Sequence, residues 1–231
     1  MFHTKQHLFF DLDHTLWDYE SCSAETLTEL WTDYQLESKG VVLNNFLKKF
    51  EKVNANLWDQ FHAGEIDKDV IRNDRFPTIF DELEIQDNGM ANEMQHDYIT
   101  VCPTKPHLID GAKELLDYLE GRYKLHIITN GFDEIQGVKL NSGGLSHYFD
   151  VIVTSSMANS QKPNKQIFDY AVNKAGATIK ESLMIGDNPE SDIEGAYLAG
   201  IDQVFYNPNN FKCPITPTLE IRSLLELKKY L

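Results

Sequence analysis

One short apolar run, Leu8-Phe9-Phe10, is separated by more than a hundred residues from four others of the same kind. These are Leu125–Thr129 (LHIIT), Val151–Thr154 (VIVT), Leu183–Gly186 (LMIG) and Gln203–Tyr206 (QVFY). Each is rich in β-branched or aromatic residues and bounded by polar or turn residues. Strands buried on both faces of a parallel sheet have this pattern. Helical stripes lie between the later runs. Ala112, Leu115, Leu116 and Leu119 repeat at helical spacing after the Asp110-Gly111 turn. Ile167, Phe168, Ala171, Val172 and Ala175 do the same, with Asn164 as N-cap and Gly176 as stop. Ile193, Ala196, Tyr197 and Ala199 form a third stripe ending at Gly200. Strands alternating with helices of this length predict βαβ units and an open α/β sheet.

The long gap carries helical patterns only. Leu27, Leu30, Trp31 and Tyr34 mark one helix, and Phe46, Phe50, Val53, Leu57, Trp58 and Phe61 a second. Ile71, Phe76, Ile79, Phe80 and Leu83 suggest a third, strained by Pro77, and Met90 to Thr100 a fourth. The expected organisation is an α/β domain of residues 1–16 and 106–231, interrupted after its first strand by a helical domain of residues 17–105. Pro103 and Pro106 mark the return.

Several function classes are disfavoured. Lys and Arg number 21 against 36 Asp and Glu, a net charge of −15. Nucleic-acid polymers need a basic face, so none is expected as partner. Residues 17–105 hold 18 acidic and 8 basic side chains, so the helical segment is the more acidic part. A phosphate site here must therefore make its own local positive field. No apolar run approaches a membrane span, and charged residues leave no room for an apolar signal core. Cys22, Cys102 and Cys213 are widely spaced and form no CxxC pair. The expected compartment is the cytosol. The eight histidines contain no HExxH spacing, which argues against a zinc hydrolase.

Four polar constellations follow expected strands, at the sheet edge where ligands of open α/β folds bind. Asp11-Leu12-Asp13 leaves the first strand with two carboxylates two residues apart, suited to a nucleophile, an acid/base and Mg²⁺. Thr129-Asn130-Gly131 offers a hydroxyl, an amide and backbone N–H groups to phosphate oxygens. Lys162-Pro163-Asn164 supplies a compact cation ahead of a helix. Gly186-Asp187-Asn188-Pro189-Glu190-Ser191-Asp192 places hard oxygen ligands around a turn. Taken singly, each also reads as an ordinary turn or helix cap.

In this order, and with the helical insertion after the first motif, the constellations resemble the haloacid dehalogenase superfamily. The resemblance covers the whole chain. It implies a Rossmann-like, three-layer core with a central parallel sheet and an inserted helical cap of the first subclass. It further implies that Asp11 is the nucleophile, forming an aspartyl-phosphate. Asp13 would be the acid/base, and Thr129, Lys162 and Asn130 would bind the phosphate. Mg²⁺ would be held by Asp11, the backbone carbonyl of Asp13, and Asp187. Asp192 and Asn188 would support the metal side or orient Lys162. An Asp at position 13 is the phosphatase and phosphomutase pattern within the superfamily. His14 departs from the usual Gly or Asp and bears on local loop geometry.

The segment DHTLWDYE from Asp13 and the stretch NLWDQFHAGEIDKDVIRNDRF resemble the bacterial pyrimidine 5′-nucleotidase group. The expected substrate is thus a nucleoside 5′-monophosphate, a small-molecule phosphomonoester. The alternatives are a phosphatase of sugar or other metabolite phosphates, a phosphomutase, or a non-catalytic phosphate-binding module. Trp17 and Tyr19 either stack on a base or pack the junction between the two domains. The turn at Gly64 is either a specificity loop or a plain helix–helix turn. Arg72 and Arg75 are placed either to reach a phosphate or a base carbonyl or, the favoured expectation, to form surface or structural ion pairs. Oligomeric state is not legible in the sequence.

Overall fold

The computed structural model describes residues 2–86 and 88–231. Its contacts divide the chain into two units, Met1–Tyr19 with Pro106–Leu231, and Glu20–Lys105.

The first unit is built on six parallel strands: β1 (His7–Phe10), β2 (Lys124–Thr129), β3 (Phe149–Thr154), β4 (Ser182–Gly186), β5 (Asp202–Tyr206) and β6 (Leu219–Ile221). Their order across the sheet is β3-β2-β1-β4-β5-β6. The chain leaves β1 to one side first and to the other side later, so a topological switch point falls beside β1. Phe10 pairs with Ile127 of β2 and with Ile185 of β4. The residues just past these strands therefore share one edge. The five apolar runs all form strands. The sixth strand, of three residues, was not expected from the sequence.

Nine α-helices lie among the described residues: α1 (Tyr19–Asp33), α2 (Leu43–His62), α3 (Lys68–Glu82), α4 (Met90–Val101), α5 (Ala112–Leu119), α6 (Asp133–Ser142), α7 (Ser155–Ala158), α8 (Lys165–Lys174) and α9 (Gly195–Ala199). Pleating sends Phe9, Ile128, Val153 and Met184 to one face of the sheet. There they pack on Ile167, Phe168 and Ala171 of α8 and Ala196 of α9. The helix expected to end at Gly200 does so, with Gly200 in the left-handed conformation at φ 83°. It begins, however, as a π-helical turn over Pro189–Glu194.

In the second unit, α2 and α3 are joined by a turn in which Gly64 has φ 75°. Asp67 caps α3 by accepting from the N–H groups of Asp69 and Val70. Pro77 lies inside α3 without ending it. Arg75 is buried, donating to Asn54 Oδ1 at 2.9 Å and Gln95 Oε1 at 3.3 Å. Its guanidinium lies 4.7 Å from the Tyr98 ring centroid and 5.3 Å from that of Phe50. The expected ion pair is thus replaced by amides and aromatic faces. No described helix is long and apolar enough to cross a membrane.

His3 and His7 stand four apart in the sequence, but His7 lies on β1 and its ring stacks on His126 of β2, with Nδ1 3.0 Å from Nε2. Burial, then the neighbouring His7, lowers His126 to about 4. The unfolded imidazole titrates near 6.5. Between these values the unfolded chain binds more protons than the folded one, so stability is full above pH 6.5 and falls as pH drops toward 4. Between pH 7 and pH 5 this group is expected to cost about 2 kcal/mol. Urea midpoints of wild type and His126→Gln at both pH values check it. The wild type should lose more than the variant, and equal losses would exclude His126 as the source.

Candidate active site

Asp11 follows β1 directly and is buried, its N–H held by the carbonyl of Ile185 on β4. Lys162 precedes α8 and is 2% exposed. Its Nζ donates to Asp11 Oδ1 at 2.5 Å, Asp192 Oδ1 at 2.6 Å and the Ile128 carbonyl at 2.9 Å. All three ammonium hydrogens are thus engaged. Burial alone would push Lys162 down, but Asp11 and Asp192 outweigh it and hold the ammonium above its ordinary pKa. The lysine is a fixed cation.

The Lys162 backbone is held by Asn130. The Asn130 side chain donates to the Lys162 carbonyl at 3.0 Å and accepts from its N–H at 2.9 Å. In this geometry Asn130 orients the lysine loop. Thr129, the last residue of β2, accepts the Gly131 N–H at its Oγ1, 3.0 Å away, which leaves the hydroxyl hydrogen for an acceptor. Gly131 lies against the Gln136 side chain, and a Cβ there would overlap it.

Asp187 follows β4 and accepts from Thr15 Oγ1 at 2.9 Å. Asn188 Oδ1 accepts from the N–H groups of Glu190 and Ser191, so this side chain caps the π-helical turn. The wide turn folds Asp192 back against the strand end. Asp192 Oδ2 accepts the Asn188 N–H at 3.1 Å, while Oδ1 faces Lys162. Gly186 is required here, because a Cβ would overlap the Asp192 carboxylate.

Ligand oxygens of Asp11, Asp187 and Asp192 lie within 4.8 Å of one another. Burial, then the adjacent Asp192, pushes Asp187 up to about 7. Three crowded carboxylates facing one cation are short of positive charge. The donors are all hard oxygens, the set that suits Mg²⁺. Both Asp192 oxygens already accept hydrogen bonds, from Lys162 and Asn188, and Asp187 accepts from Thr15.

Asp13 leaves the same strand end as Asp11 but points to a different partner. Its Oδ1 accepts from Lys139 Nζ of α6 at 2.6 Å. Lys139 was not expected from the sequence, and Thr15, which lies in the stretch after the first strand, had no role assigned. His14 adopts φ 64°, the left-handed region that Gly normally fills, and its ring contacts Tyr19. Trp17 belongs to the first unit and is buried, its ring 4.5 Å from Lys139 Nζ.

The chain matches the family described as haloacid dehalogenase-like hydrolase over residues 8–206. It is 34% identical over 227 residues to the pyrimidine 5′-nucleotidase YjjG of Escherichia coli (strain K12), covering 97% of this chain and 96% of that protein. It is 31% identical over 225 residues to the pyrimidine 5′-nucleotidase PynA of Streptococcus pneumoniae (strain ATCC BAA-255 / R6), covering 95% and 92%. Among solved structures it resembles the putative hydrolase YfnB of Bacillus subtilis, described as bound to magnesium, with a TM-score of 0.88, 31% identity and 98% of both chains covered.

Proposed function

We propose that this chain, which belongs to the haloacid dehalogenase-like hydrolase family, is a phosphomonoesterase acting on pyrimidine nucleoside 5′-monophosphates through an aspartyl-phosphate. The observation that carries the reaction is the pairing of Asp11 with a buried, fully engaged Lys162 while Asp13 leaves the same strand end. The substrate class rests on the full-length similarity to two pyrimidine 5′-nucleotidases.

The placement of the side chains supports this reading. The Asp11 carboxylate attacks phosphorus as the bond to the leaving oxygen breaks, and Asp13 gives that oxygen a proton. Water then attacks phosphorus, Asp13 takes its proton, and the bond to Asp11 breaks, releasing phosphate and restoring the Asp11 carboxylate and the protonated Asp13. The Thr129 hydroxyl donates to a phosphoryl oxygen and Lys162 supplies fixed positive charge beside it, with Asn130 fixing the Lys162 loop. Phosphoryl transfer needs chiefly positioning and charge neutralisation, and this set of residues supplies both.

Asp11, the Asp13 backbone carbonyl and Asp187 would hold Mg²⁺, with Asp192 and Asn188 in support. The ion would supply charge neutralisation for the phosphate and the carboxylates that otherwise repel it. Adding Mg²⁺ without substrate is expected to raise the wild-type melting temperature by about 5 °C at saturating metal. Asp187→Asn should abolish most of that rise. An equal rise in wild type and variant would place the ion elsewhere.

A substrate panel tests the assignment: UMP, dUMP, dTMP, CMP, AMP, GMP, UDP and several sugar phosphates, with Mg²⁺ and with EDTA. Metal-dependent phosphate release favouring UMP, dUMP, dTMP and CMP is expected. UDP should be slower than UMP, because the inserted segment is strongly acidic. Turnover concentrated on sugar phosphates would overturn the nucleotide assignment and keep the chemistry. Isomerisation without phosphate release would identify a mutase. The net charge of −15 supports a small-molecule substrate over a nucleic-acid polymer.

A further inference from the structure

Lys139 is a buried lysine that the reaction above does not use. It lies on α6, and its side chain is 8% exposed. Burying an ammonium costs several kcal/mol before any pairing, and a buried ion pair is weak evidence for stability. Its placement calls for another reason.

Lys139 touches both ends of one short loop. Its Nζ lies 2.6 Å from Asp13 Oδ1 and 4.5 Å from the centroid of the Trp17 ring. The same two residues are joined by a backbone bridge, and His14 N–H donates to the Trp17 carbonyl at 2.9 Å. His14 within that loop has φ 64°, a conformation that non-glycine residues adopt at a cost. The loop carrying Asp13 is therefore strained and closed on itself, and Lys139 ties its carboxylate to its aromatic end. The tie takes one oxygen only. Asp13 Oδ2 accepts no hydrogen bond from any described residue, and the Asp13 side chain is 24% exposed. One turn before Lys139, Gln136 packs on Gly131 and donates to the Phe132 carbonyl, so α6 also supports the Thr129 loop.

We infer that Lys139 is a positioning residue for Asp13, clamping Oδ1 so that Oδ2 exchanges the proton with the leaving oxygen and then with water. The inference rests on the phosphomonoesterase reading, in which Asp13 is the acid/base. Its consequence depends on the leaving group. A nucleoside alkoxide needs a proton to depart, whereas 4-nitrophenolate departs without one. kcat/KM covers the steps up to departure of the leaving group, so the two substrates separate a positioning role from a structural one.

Lys139→Met is expected to lower kcat/KM for UMP about 100-fold and for 4-nitrophenyl phosphate less than about 5-fold, with KM nearly unchanged. In an Asp13→Asn background the same change should add less than about twofold. Lys139→Arg keeps a cation in place should the Met variant not fold. It should hold the ratio of the two substrates within about threefold of wild type, because the charge-assisted bond is kept. Equal losses on both substrates, or losses that add fully to those of Asp13→Asn, would overturn the positioning role. Wild type that cleaves 4-nitrophenyl phosphate but not UMP would overturn the nucleotide reading alone, and a sugar phosphate then takes the place of UMP. Wild type inert toward every phosphomonoester would overturn both.

Discussion

Asp11→Asn is expected to lower phosphate release from UMP at least about 10,000-fold, because an amide oxygen does not form the acyl-phosphate. The variant should remain folded. Asparagine is nearly isosteric, and its Oδ1 can still accept from Lys162, which keeps Asp192 as a charged partner. The melting temperature should therefore move by only a few degrees while activity collapses. Phosphate release by purified Asp11→Asn, with melting measured on the same sample, checks this. Activity within tenfold of wild type would remove Asp11 as the nucleophile.

Lys162→Met should damage both function and folding. The ammonium is the shared partner of Asp11 and Asp192, all three being buried. Without it two carboxylates face each other with no cation, and breaking such a buried pair costs about 3–5 kcal/mol. The phosphate also loses its fixed positive charge, for which a loss in kcat/KM of about 1,000-fold is expected. The stability deficit has a pH signature. Burial raises Asp11 above its ordinary value, with Lys162 opposing that rise, and removing the lysine leaves burial and the carboxylate neighbours unopposed. A group whose folded pKa lies above its unfolded one contributes more stability as pH falls. The deficit of Lys162→Met should thus shrink from pH 8 to pH 5. Urea unfolding of both proteins at the two pH values measures it, and a deficit that grows toward pH 5 would contradict this charge balance.

The fold was legible where its signals are local. Each of the five expected strands is an apolar run with a sharp polar end, and the residues at or just past those ends, Asp11, Thr129 and Asp187 among them, fall at one sheet edge because all strands run parallel. Asp192 and Lys162 were legible as residues opening helices, and the structure brings both to Asp11. Other features depend on tertiary context. Lys139 meets Asp13 across 126 residues, and its helix has Gly137 in the middle and Val138 exposed, so no clear apolar stripe marks it. β6 is three residues long and leaves almost no pattern. The π-helical turn arises because Asn188 caps two N–H groups while Asp192 folds back on the Asn188 N–H, a geometry that the apolar stripe from Ile193 to Ala199 does not encode. Trp17 read as a base platform or as packing at the junction, and its burial is a tertiary property with no local signal.

The most direct measurement is an acid quench during turnover of UMP carrying ³²P at its phosphate, followed by counting the label on the protein. The account predicts protein-bound label that hydroxylamine releases, that maps to the peptide holding Asp11, and that Asp11→Asn does not acquire. Turnover with no protein-bound label, or label that resists hydroxylamine and persists in Asp11→Asn, would contradict it.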